Sequence, residues 1–87
     1  MTKKVYVANL PPQTTVPDIK ALFAKSGDVM SVKIVTDRAT GQPRGIAFVE
    51  MSSQWEARRS VSSLNGQEFM GNKLQVKEAT EKRYFRG

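Results

Sequence analysis

The sequence predicts a small α+β domain, an antiparallel sheet of four strands with two helices packed on one face. Two observations carry this. Segments with strand alternation and segments with helical spacing follow one another in the order β-α-β-β-α-β. The chain has 87 residues and no internal repeat, which allows one domain with a single modest core. That order is the split βαβ arrangement. Two helices cover one side of such a sheet, and in so short a chain nothing obvious is left to cover the other.

KVYVANL (4–10) reads as the first strand, stopped by Pro11-Pro12. Thr15 is placed to cap a helix, with Asp18 three residues on as its capping-box partner and Pro17 tolerated in the first turn. Ile19, Leu22, Phe23 and Val16 make an apolar stripe at helical spacing, and Gly27 is a natural stop. VMSVKIVT (29–36) is the second strand, with Val32 and Ile34 on one face and Lys33 and Val35 on the other. DRATGQP is a turn-rich loop containing Gly41 and Pro43. RGIAFVEM (44–51) is the third strand. SSQWEARRSVSSLNG (52–66) is the second helix, with Ser53 and Glu56 as a capping box, Ala57, Val61 and Leu64 toward the core, and Asn65-Gly66 at its end. QEFMGN is a connection, and LQVKEA (74–79) closes the sheet with Leu74 and Val76 pointing inward.

RGIAFVEM poses the functional question. A half-buried strand normally has one apolar and one polar face. Here both faces are apolar through Ile46-Ala47-Phe48-Val49. If Val5, Val7, Ala47, Val49, Leu74 and Val76 lie under the helices, the opposite face shows Tyr6, Ala8, Lys33, Val35, Arg44, Ile46, Phe48, Glu50, Lys73, Gln75 and Lys77. Two aromatics then sit among basic residues. The bulk charge agrees: 14 Lys+Arg against 8 Asp+Glu give a formal charge of +6, which suits a polyanionic partner, nucleic acid before membrane. Stacking on aromatic rings is worth roughly 1–3 kcal/mol per base, and basic side chains track phosphates, so the pattern fits a single-stranded nucleic acid. The alternative reading of the pattern is that a partner chain or the C-terminal tail covers these rings.

The sequence resembles the RNA recognition motif family over residues 3 to 80. VYVANL (5–10) resembles its hexapeptide RNP motif, and RGIAFVEM (44–51) its octapeptide, K/R-G-F/Y-G/A-F-V-x-F/Y. LNG (64–66), FMG (69–71) and KLQVKEA (73–79) also resemble family sequence, and the size of the chain with the VEM ending of the octapeptide resembles small single-domain bacterial members. The resemblance implies a ferredoxin-like βαββαβ sandwich that binds short single-stranded RNA on its open face. It implies that Tyr6 and Phe48 stack on two successive bases and that Arg44 pairs with a phosphate. Ile46 stands where the family usually has a third ring, which implies a weaker or purely apolar contact. Met51 replaces the closing aromatic of the octapeptide and points into the core by parity. Ala8 stands where glycine is common, and Ser26 where many relatives place an aromatic.

Lys73, Gln75 and Lys77 are candidate contacts on the fourth strand, or else protect a solvated edge. Gln75 and Glu78 are candidates for reading base edges. Lys33 is a candidate phosphate contact, and Arg38 a loop cation that clamps a strand or stays solvated. Asn9 is expected to satisfy the turn into Pro11. The tail (81–87) interleaves Lys82, Arg83 and Arg86 with Tyr84 and Phe85, so it is expected to add affinity, to fold back over the sheet, or to be a disordered end. Trp55, off the core parity of its helix, is a candidate protein contact.

Other classes fit poorly. With no Cys and no His, disulfides, thiol chemistry and the usual zinc ligands are missing. The carboxylates do not converge, and no Gly-rich phosphate loop follows a strand, so neither catalysis nor a cofactor is expected, although this topology also occurs in acylphosphatase-like enzymes. The stronger rival is a protein-interaction domain of the same fold; single-stranded DNA is a third partner class, because stacking does not detect the 2′-hydroxyl. No apolar run approaches the roughly 20 residues that span a bilayer, and the apolar run in MTKKVYVANLPP is too short for a signal peptide. A monomer in the cytoplasm, or in the nucleus of a eukaryote, is expected.

Overall fold

The computed structural model describes residues 3–79. The elements in chain order are β1 (Lys4–Ala8), α1 (Val16–Ala24), β2 (Val29–Thr36), β3 (Pro43–Met51), α2 (Gln54–Leu64), β4 (Glu68–Phe69), β5 (Asn72–Lys73) and β6 (Gln75–Glu78). The main sheet is four-stranded and antiparallel in the order β2-β3-β1-β6, so the first and third strands of the chain form its centre. The expected α+β sandwich is therefore the fold.

Both helices begin as the sequence directs. The Thr15 hydroxyl accepts the Asp18 amide at 3.3 Å and the Asp18 carboxylate accepts the Thr15 amide at 3.0 Å, a complete capping box. In α2 only half of the box forms. Ser53 accepts the Glu56 amide, but the Glu56 carboxylate takes the Ser52 hydroxyl instead. The Glu56 side chain also packs against Gly27, where an added Cβ would lie 2.5–2.7 Å from its carbons. Glycine is needed there because the second helix starts against the exit from the first.

The helices lie on the parity face of Val5, Val7, Ala47, Val49, Leu74 and Val76, all buried together with Ile19, Phe23, Met51, Ala57 and Leu64. Met51 is fully buried, as its parity requires. Two expectations shift. Val16 is 40% exposed and contributes little to the core. Ser60 is fully buried on α2 and Val61 only partly; the small Ser60 side chain fits the innermost position because its hydroxyl is satisfied by the Glu56 carbonyl at 2.8 Å. Ser26 fills its buried position without a ring, its amide donating to the Phe23 carbonyl.

The connection QEFMGN is a second, two-stranded sheet pairing Glu68 with Lys73 and Phe69 with Asn72. Met70 and Gly71 turn it, at φ of 52° and 90°; two successive left-handed residues suit the right-handed twist of a hairpin. Asn9, at φ 66°, ties this ribbon to the end of β1. The Asn9 side-chain amide donates to the Lys73 carbonyl at 2.8 Å, and the Asn72 side-chain amide donates to the Asn9 carbonyl at 3.0 Å.

Candidate nucleic-acid interface

The register of the main sheet assembles the face opposite the helices into rows. Lys33, Phe48, Tyr6 and Lys77 are mutual cross-strand partners and run in that order across all four strands. Val35, Ile46, Ala8 and Gln75 form the adjacent row. Directly paired residues share a face, so the rows place two aromatics side by side, a lysine at each end, and an apolar strip next to them. On the other side Ser31, Glu50 and Lys4 are aligned, with the Ser31 hydroxyl donating to the Glu50 carboxylate at 3.3 Å.

The rings of Tyr6 and Phe48 are 5.7 Å apart between centroids and inclined at 60°. This edge-to-face contact fixes both without fusing them into one stack. The Lys77 ammonium lies 5.6 Å from the Tyr6 ring centroid, within cation–π range. Both rings are half-buried, as are Ile46 and Val35, while Lys33, Gln75 and Lys77 are exposed.

Backbone geometry sets the rim. Gly45 has φ +77°, and a Cβ there would meet the Leu10 carbonyl oxygen at 3.1 Å. Its own carbonyl accepts the Leu10 amide at 3.0 Å. The glycine of RGIAFVEM is thus demanded by a left-handed bulge and a close approach to the Leu10 backbone just beyond β1. The β2–β3 register steps from Val35–Ile46 to Thr36–Pro43, so Arg44 lies within the bulge, exposed at the end of the sheet. Arg38 is exposed in the loop beyond it. That loop is internally tied: the Asp37 carboxylate accepts the amides of Ala39 and Thr40, and the Thr40 hydroxyl accepts that of Gln42.

Two candidates are placed elsewhere. Glu78 pairs in register with Val5, which puts it on the helical side, and its carboxylate lies 3.7 Å from the Arg58 guanidinium of α2. It stands two residues from the buried Val76, so strand alternation turns it away from Lys77 and Gln75. Lys73 belongs to the β4–β5 ribbon, opposite Glu68, and not to the four-stranded sheet. The tail, 81–87, lies outside the described residues. Among the described residues, no group of three or more His, Cys, Asp or Glu could hold a metal ion, and no helix is long and apolar enough to cross a membrane.

A model of the RNA recognition motif family matches residues 5–75. The chain belongs to the RNA recognition motif family. It is 45% identical over 75 residues to "Putative RNA-binding protein RbpA" of Nostoc sp., a match covering 86% of this chain and 74% of that one. Its fold is similar to the crystal structure of RNA Binding Protein PG1, with a TM-score of 0.84 and 44% identity over 90% of this chain and 94% of the other. It is also similar to the Rna15 RRM with bound RNA (GU), at a TM-score of 0.82 and 26% identity, covering 92% and 85% of the two chains. Within this motif, VYVANL supplies the central strand β1 and RGIAFVEM its neighbour β3. Their registration, Tyr6 to Phe48 and Ala8 to Ile46, brings the two signature segments into contact.

Proposed function

We propose that this RNA recognition motif binds short single-stranded RNA across the face formed by Lys33, Phe48, Tyr6 and Lys77, in post-transcriptional RNA metabolism. The observation that carries the reading is the unbroken cross-strand row of cation, two rings and cation. Successive bases in a duplex rise about 3.4 Å per nucleotide. The two ring centroids are 5.7 Å apart, so bases seated on them are splayed from one another. That geometry suits a single strand whose bases are unstacked and received on side chains. Ile46 adds an apolar contact beside Phe48, in place of a third ring. Lys33 and Lys77 meet phosphates at the two ends of the row, and Arg44 meets one at the rim. Arg38 reaches a phosphate from the tied loop, and Gln75 reads a base edge next to Ala8. Lys73 adds a cation from the ribbon. Relatives that carry RNA in their names or in their structures support the choice of RNA.

The test is fluorescence anisotropy with a degenerate pool of short labelled RNA, set against DNA of matched length and a duplex RNA. Binding of the single-stranded RNA, with the duplex excluded, is the expected result. Equal affinity for the DNA would reassign the partner to single strands in general. No binding of any pool would overturn the reading and leave the face to a protein.

A further inference from the structure

Trp55 is 66% exposed on the first turn of α2, whose buried side is made by Ala57, Ser60 and Leu64. The core therefore does not explain it. Its indole is in contact with a cation: the Arg58 guanidinium carbon lies 5.9 Å from the ring centroid. Arg59, exposed and four residues on from Trp55, shares its side of the helix. Arg58 in turn lies 3.7 Å from Glu78 of β6, and β6 is an edge strand of the sheet. The residue before Glu78 is Lys77, which faces the other way and sits over Tyr6. β6 thus has a cation–ring pair on each side, Lys77 with Tyr6 of β1 in front and Arg58 with Trp55 of α2 behind, the latter tied to β6 by Glu78.

We propose that Trp55, Arg58 and Arg59 form a second RNA contact, reached by a strand that leaves the open face over the edge of β6. The inference rests on the RNA-binding reading of the sheet and extends its path. A flat, exposed indole offers a base a stacking surface, and the two guanidiniums offer phosphates a positive border. RNA is favoured over an acidic peptide because the patch repeats the chemistry of the front face and adjoins it through a single edge strand. Glu78 holds Arg58 in position beside the ring and is not itself a contact.

Trp55 is the only tryptophan in the chain, so its emission reports on this patch directly. The full chain is titrated with degenerate single-stranded RNA pools of about four and about twelve nucleotides, lengths within the range bridged by one small binding module. The expected result is that both pools bind, that only the longer quenches the indole, and that the longer binds more tightly. Trp55→Ala should remove that advantage, a loss of roughly fivefold or more for one stacked base, while leaving the short-pool affinity and the melting temperature unchanged. Equal affinities for the two lengths with unshifted emission would overturn the edge contact and leave the sheet reading intact, with the patch assigned to a protein partner. Failure of both pools to bind would overturn both.

Discussion

Replacing Phe48 with alanine separates the function of β3 from its stability. In the folded domain the substitution removes an edge-to-face contact with Tyr6 at 5.7 Å. Such contacts contribute about 0.5–1.5 kcal/mol beyond burial. The ring is only half-buried, so the area lost adds about 1 kcal/mol. The sum, about 2 kcal/mol, lies below the 5–15 kcal/mol typical of native domains, and Phe48→Ala should remain folded. Bound RNA loses a stacking platform worth roughly 1–3 kcal/mol, which corresponds to a Kd about 5- to 150-fold weaker. Val49→Ala is the internal control. Val49 is fully buried one residue along the same strand. It should cost about 2–3 kcal/mol of stability through lost burial and the cavity left behind, with RNA affinity unchanged in the folded fraction. Anisotropy with a short RNA pool and urea unfolding measure the two effects. The reasoning fails if Phe48→Ala binds like the parent, or if Val49→Ala loses affinity to the same degree without unfolding.

Other consequences follow from the same geometry. With phosphates met by Lys33, Lys77, Arg44 and Arg38, affinity should fall with salt at a log–log slope of about −3. Lys77→Ala should make that slope shallower by about 0.7; an affinity independent of salt contradicts the phosphate contacts. Gly45→Ala forces a side chain into a left-handed conformation 3.1 Å from the Leu10 carbonyl oxygen. It should lower stability by at least about 1–2 kcal/mol, seen as a fall in the urea midpoint, and an unchanged midpoint would show that the bulge tolerates a Cβ. Thr15→Ala removes one arm of the α1 capping box and should cost about 1 kcal/mol, read as a drop in melting temperature. If Thr15→Ala melts with the parent, the cap contributes nothing.

The parts of this structure legible in the sequence are those fixed by local rules. Strict alternation placed Val5, Val7, Ala47 and Val49 on the buried face, and the Thr15–Asp18 spacing marked the start of α1. The β4–β5 ribbon escaped because strands of two residues are too short to show alternation, and its turn residues, Met70 and Gly71, lack the usual Asn-Gly signature. Glu56 illustrates a tertiary competitor: its spacing from Ser53 promised a full box, but packing against Gly27 and the Ser52 hydroxyl claimed its side chain. Alternation from Val76 was enough to place Glu78 on the helical side; its pairing with Arg58 depends on a helix that no local pattern brings there. The bulge at Gly45 belongs to the same class, because the Leu10 backbone it approaches lies beyond the end of β1, far from Gly45 in sequence. For the site, the types of residue were readable along the chain, but the row that orders them arises only from register between strands distant in sequence.

The most direct test of the account is an amide NMR titration of the isotopically labelled chain with a degenerate pool of short single-stranded RNA. Shifts centred on Tyr6, Ile46 and Phe48, extending to Lys33 and Lys77 and sparing the buried side of α1, are the predicted result. A sheet whose amides do not move while the fold stays intact would contradict the claim that RNA occupies this face.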